Sequence, residues 1–97
     1  MKILALEQEL PGATAEQFQQ LGQAEAVRAW ELYQQGIIRE LYFRQDRAEA
    51  VLILECDDVT TAEAVLQTLP LVKAGLIRFE LIPLVAYPGF ARLFSTG

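Results

Sequence analysis

The apolar residues of this chain change period in a fixed order, and that order limits the folds open to it more than any other feature. Lys2 to Leu10 mixes alternating and continuous apolar residues and stops at Pro11-Gly12, the pattern of a strand and its turn. From Thr14 to Gln35 the period lengthens. Phe18, Leu21, Ala29 and Leu32 recur at helical spacing and predict an amphipathic helix of about six turns. Thr14 and Gln17 form a capping-box pair, Glu16 sits at the positive end of the helix dipole, and Gly36 is a natural C-terminal stop. Ile37 to Arg44 and Glu49 to Cys56 then read as an antiparallel hairpin around the polar stretch Gln45 to Ala48. Thr60 and Glu63 predict the cap of a shorter helix through Ala64, Val65 and Leu66, which ends near Pro70 because proline cannot continue it. Leu76 to Val85 is the last strand, with Pro83 marking an edge or a departure from pairing.

This order, β-α-β-β-α-β, predicts one α+β domain over residues 1–97. Its layout is ferredoxin-like, a four-stranded antiparallel sheet with two helices on one face. The strands are apolar on both faces: Leu4 and Leu6 oppose Ile3 and Ala5, and Val51 and Ile53 oppose Leu52 and Leu54. A sheet with one wet face alternates cleanly, so the second face also calls for a cover, and a second copy of the sheet is the simplest one. Composition agrees: 53% apolar residues and a mean hydropathy of +0.22 are high for 97 residues, whose surface is large relative to its volume. The expected partner is the chain itself, in a homodimer or larger homo-oligomer. The tail, residues 88–97, follows Tyr87 and carries Phe90 and Phe94, so it is expected to dock on the domain or on the partner.

A net charge of −5, with no histidine and no basic cluster, sets aside nucleic acid and anionic membranes as partners. The single cysteine, Cys56, has no internal partner and suits a reducing compartment, so the protein is expected in the cytoplasm. No metal-ligand spacing, glycine-rich phosphate loop or histidine-dependent nucleophile is present, and no cofactor is expected.

The candidate for chemistry is Glu25, which falls within the helical stripe of Phe18, Leu21, Ala29 and Leu32. Burial there either raises its pKa, as acid/base work requires, or demands a cation such as Arg28 or a strand arginine, which is a structural role. In the second strand Ile38, Glu40, Tyr42 and Arg44 share one face while Ile37, Arg39, Leu41 and Phe43 share the other. Their charges serve either as cross-strand ion pairs or as the polar rim of a mostly apolar cavity. Arg39, Glu40, Tyr42, Arg44 and Tyr87 are therefore candidate ligand-binding residues.

Several words of sequence, in order, resemble the muconolactone isomerase family of dimeric α/β-barrel proteins. They are Leu10-Pro11, Glu25, Gly36, Leu41-Tyr42, Asp57-Asp58-Val59, Leu69-Pro70-Leu71, Pro83-Leu84 and Pro88. The resemblance covers most of the chain. It implies homo-oligomers built of dimers and a cofactor-free proton shift on an unsaturated lactone, with Glu25 in the pocket. It also marks departures: Ala26 stands where the family carries a lysine, and Glu40 and Tyr87 stand where it carries histidines. Two readings follow. In one the chain is a homo-oligomeric domain that binds a small, partly apolar or lactone-like molecule between helices and sheet. In the alternative it is a cofactor-independent isomerase using Glu25, with Arg39 or Arg44 holding an anionic group.

Overall fold

The computed structural model describes residues 1–94. Strand β1 (Lys2–Glu9) leads into helix α1 (Ala15–Gln34), and strands β2 (Ile38–Phe43) and β3 (Ala50–Glu55) form the hairpin. Helix α2 (Val59–Leu66) and a single turn α3 (Pro70–Lys73) precede β4 (Ile77–Leu84). A 3-10 segment, Pro88–Phe94, closes the described chain. The strands form one antiparallel sheet in the order β2-β3-β1-β4, so each helical crossover leads from a central strand to an edge strand, β1 to β2 and β3 to β4. This is the ferredoxin-like arrangement.

Helix α1 starts where its sequence says. Thr14 accepts from the Gln17 N–H while the Gln17 side chain accepts from the Thr14 N–H, which satisfies two backbone donors that the first turn leaves open. Gly36 takes a positive φ of 79° just past the last turn, where a Cβ would be strained. The second helix departs from expectation at its start. Its cap is Asp58, whose carboxylate accepts from the Thr61 N–H at 2.7 Å, and not Thr60, which already lies inside the helix. Pro70 also has a different role: α2 ends at Leu66, and Pro70 opens α3 at a position where its missing N–H costs nothing.

The core lies between the helices and one sheet face. Ile3 and Ala5 of β1, Ala50, Leu52 and Leu54 of β3, Leu32 of α1 and Ala62 and Leu66 of α2 are buried there. Phe18 and Leu21 of α1 pack on a smaller cluster of Leu71, Leu76 and Ile77. The other sheet face carries Leu4, Leu6, Val51, Ile53, Ile82 and Leu84, and no element of the described chain covers it.

Strand β2 does not alternate as its sequence implies. Ile38 pairs with Leu54, but the next paired residue is Glu40, opposite Ile53, so Arg39 is an extra residue in a β-bulge. The extra residue resets the faces. Ile38, Leu41 and Phe43 share the helix side with their partners Leu54, Leu52 and Ala50, while Glu40 and Tyr42 turn to the bare side with Ile53 and Val51. Ile38 therefore does not share a face with Glu40 and Tyr42.

Beyond β4 the chain runs away from the domain. Tyr87, Phe90 and Phe94 are 66%, 65% and 82% exposed in the single chain. The radius of gyration is 16.2 Å, and the extents are 61 × 28 × 20 Å. A compact chain of this length has a radius of about 12–13 Å. Tyr87 packs edge-on to Phe90 with ring centroids 5.0 Å apart, which is the tail's own local order.

Candidate functional site

Helix α1 turns its smallest side chains toward the sheet over its middle turns. Gly22, Ala26 and Ala29 leave the space between helix and sheet unfilled, and a cavity of about 500 Å³ results. Its floor and far walls are Leu52 and Ala50 of β3, Glu7 of β1 and Phe79 of β4, with Leu69 and Leu71 closing one end. Leu41 and Phe43, brought to this side by the bulge, form the rim at the β2 edge, where they are 45% and 71% exposed. The lining is almost entirely apolar. Its ionisable side chains are Glu7 and Glu25, while Tyr42 borders the rim with its side chain turned to the other face of the sheet.

Glu25 sits in the helix stripe, half-buried. Its Oε1 accepts from the Leu71 N–H at 2.9 Å, one of the open donors at the start of α3. Burial pushes its pKa above the ordinary glutamate value, and the Leu71 hydrogen bond pulls back part of the way. Arg28 does not pair with it. The Arg28 Nε donates to Thr68 Oγ1 at 2.9 Å, and its guanidinium lies 3.8 Å from Glu31.

Glu7 was not among the residues singled out by sequence. It follows Ile3 and Ala5 at the strand period, which places it on their face, and the structure buries that face. It is only 9% exposed and is the sole charged residue type buried among the core side chains of the described chain. Burial raises its pKa first of all. The Ala50 main chain opposes this, and the neighbouring carboxylates of Glu49, Glu25 and Glu9 add to the rise.

The remaining sequence candidates lie around the cavity. Arg39 donates to the Gly36 carbonyl oxygen and so ties the bulge to the end of α1. The Tyr42 hydroxyl donates to Glu40 Oε1 at 2.8 Å on the bare side of the strand, and that bond holds the phenol in its protonated form. Arg44 makes two hydrogen bonds to Asp46, at 2.9 and 2.6 Å, and lies 4.0 Å from Glu49. Tyr87 is on the tail, outside the cavity lining. Among the described residues no arginine or lysine lines the cavity, and no group of three or more histidine, cysteine, aspartate or glutamate side chains is placed to hold a metal. Among the described residues no helix is long and apolar enough to cross a membrane.

Residues 5–89 match the family described as muconolactone delta-isomerase, a span that takes in every strand and helix around the cavity except the start of β1. The chain belongs to the muconolactone delta-isomerase family. A solved structure with the same fold is 5-chloro-2-hydroxyhydroquinone dehydrochlorinase from Burkholderia phenoliruptrix AC1100, in complex with 2,5-dihydroxybenzoquinone. It superposes with a TM-score of 0.72 at 16% identity, covering 92% of this chain and 98% of that one. No curated protein sequence matches the chain. At that identity the likeness establishes the fold and leaves the chemistry to the residues present here.

Proposed function

We propose that the cavity under α1 binds a small, partly apolar ring molecule and that Glu25 moves a proton on it without a cofactor, as a cytoplasmic homo-oligomeric isomerase-like protein. The observation that carries this reading is the setting of Glu25. A carboxyl with a raised pKa stands at the wall of an apolar, solvent-connected cavity, held by one oxygen to Leu71 with no cation among the described residues to neutralise it. In the step we assign to it, the Glu25 carboxylate takes a proton from the carbon next to a lactone carbonyl. The resulting dienolate takes the same proton back at its γ carbon, and the double bond moves into conjugation. A base with a raised pKa and a dry surround is better matched to such a weak carbon acid than a solvated glutamate.

The cavity volume suits a single ring, and the structural neighbour is named for action on a substituted hydroquinone, also a single ring. The apolar bare face of the sheet supports the homo-oligomer, because six exposed or half-exposed aliphatic side chains on one face need a cover. Arg39, Glu40, Tyr42, Arg44 and Tyr87 then belong to the surround of the site, where a second copy would bring its own surfaces close.

A second reading has its own support. The bond from Leu71 to Glu25 fastens α3 to α1, so Glu25 also serves a purely structural purpose in a domain that binds a ligand without transforming it. The two readings part on a neutral β,γ-unsaturated lactone, α-angelica lactone, followed by proton NMR in deuterated water. The isomerase reading expects accelerated exchange at the α carbon and growth of the conjugated isomer, and a loss of about 100-fold or more in Glu25→Gln. Binding without acceleration would leave the domain as a carrier.

A further inference from the structure

The cavity's polar wall is one-sided in charge. Glu7 comes from β1 and Glu25 from α1, the two lie close enough for Glu25 to act on Glu7, and the lining otherwise consists of Gly22, alanines and bulky apolar groups, with Tyr42 bordering the rim. Arg44 and Arg47, the guanidiniums nearest in sequence to the β3 end of the cavity, are turned to Asp46 and Glu49, and Arg39 to the Gly36 carbonyl. Nothing in the described lining could neutralise an anion brought inside.

We infer that Glu7 is a specificity-determining residue, which together with Glu25 excludes anions from the cavity and, among uncharged ring compounds, favours those that offer a hydrogen-bond donor, such as a ring hydroxyl. This inference rests on the reading that the cavity is the ligand site, and it concerns what enters, whether or not Glu25 then moves a proton. Two carboxyl groups in a low-dielectric wall supply acceptor oxygens in abundance and, among ionised groups, only negative charge. A hydroxyl donates to such an oxygen in a charge-assisted bond, whereas a carboxylate is repelled by both and loses its hydration with nothing in return. Each carboxyl already meets one main-chain group, Glu25 that of Leu71 and Glu7 that of Ala50, and Glu7 is the more decisive of the two because it lies deeper, on the sheet itself.

The experiment compares three probes of nearly the same size, 4-methylphenol, 4-methylbenzoate and toluene, by NMR titration of the wild-type protein near pH 7.5. The resonances of Leu52, Ala29 and Phe79 report on the cavity. The expected result is that 4-methylphenol binds at least about tenfold more tightly than 4-methylbenzoate and more tightly than toluene. Glu7→Gln, checked for an unchanged fold by its amide spectrum, should raise the affinity for 4-methylbenzoate by about tenfold or more. Its affinity for 4-methylphenol should change far less. If 4-methylbenzoate enters the wild type as tightly as 4-methylphenol, the inference is overturned while the cavity stands as a ligand site. The same holds if Glu7→Gln leaves the ratio of the two unchanged. If none of the probes moves the cavity resonances, the ligand-site reading falls and this inference with it.

Discussion

The Leu71 main-chain N–H donates to Glu25 Oε1 at 2.9 Å across 46 residues of sequence. One end of this bond is the first turn of a four-residue helix and the other is a carboxyl on the cavity wall, so local backbone satisfaction and the candidate chemistry share one side chain. The bond also tells apart two substitutions. Glu25→Gln keeps a carbonyl oxygen for Leu71 and removes a desolvated charge that no cation balances. Its stability should stay within about 1 kcal/mol of wild type or rise. Glu25→Ala leaves the Leu71 donor without its partner and should cost about 1–3 kcal/mol. Urea unfolding of the two variants at one protein concentration checks the difference.

The two cavity carboxyls predict an acid shift in stability. Both have folded-state pKa values above the ordinary 4.5, chiefly through burial, so the folded chain holds these protons more tightly than the unfolded chain does. Their contribution at neutral pH is unfavourable. It is relieved as pH falls through the raised values and gone below the ordinary one. Unfolding midpoints should therefore rise from pH 7.5 to about pH 5, and the Glu7→Gln/Glu25→Gln double variant should lose that rise. Asp58 works in the opposite sense at lower pH. Hydrogen bonds from Thr61 hold its pKa below the ordinary 3.8, so the stability it lends is present above that value and is lost as pH falls through the depressed one.

Asp58→Ala removes the cap of α2 and should destabilise by about 1 kcal/mol, whereas Thr60→Ala should be close to neutral. Thermal melts of the pair settle which residue starts the helix.

The cavity itself should respond to filling. A Cβ placed on Gly22 meets nothing within 4 Å and the residue has ordinary helical geometry, so Gly22→Ala should stabilise the protein by about 1 kcal/mol. Ala26→Leu pushes a larger group into the space and should abolish binding of 4-methylphenol with little loss of stability. Retained binding in that variant would place the ligand elsewhere.

The bare sheet face and the outlying tail predict association. Sedimentation of the full chain should show a homodimer or larger species, and deletion of residues 88–97 should lower its stability or shift its size. Ser95, Thr96 and Gly97 lie outside the described residues, so the structural side of this prediction rests on Tyr87, Phe90 and Phe94.

Element order was legible in the sequence because it is written in local signals: the period change at Thr14, the reciprocal Thr14–Gln17 cap and the positive-φ glycine after α1 are all set within a few residues. What escaped was decided at longer range. Nothing in the β2 sequence marks Arg39 as the extra residue, since a bulge is defined by the pairing of β2 with Leu54 and Ile53 of β3. Asp58 and Thr60 are both good caps, and the choice between them depends on where the chain leaves β3. The stripe of α1 pointed to Glu25. Glu7 needed a decision about which face of β1 is inside, and with apolar residues on both faces the alternation is silent on that. The cavity is equally non-local, since it exists because three small residues of α1 meet Ala50 and its neighbours on the sheet only after the layers come together.

Two different walls are encoded in the single strand β2, and the bulge selects between them. Were Arg39 to take an ordinary rung in the ladder, Leu41 and Phe43 would trade places with Glu40 and Tyr42 along the whole strand. The cavity would then be faced by a third carboxylate and a phenol in place of two hydrocarbons. Relatives that keep the same residues but pair them straight would have a different interior, and comparison of their sequences position by position would not reveal it.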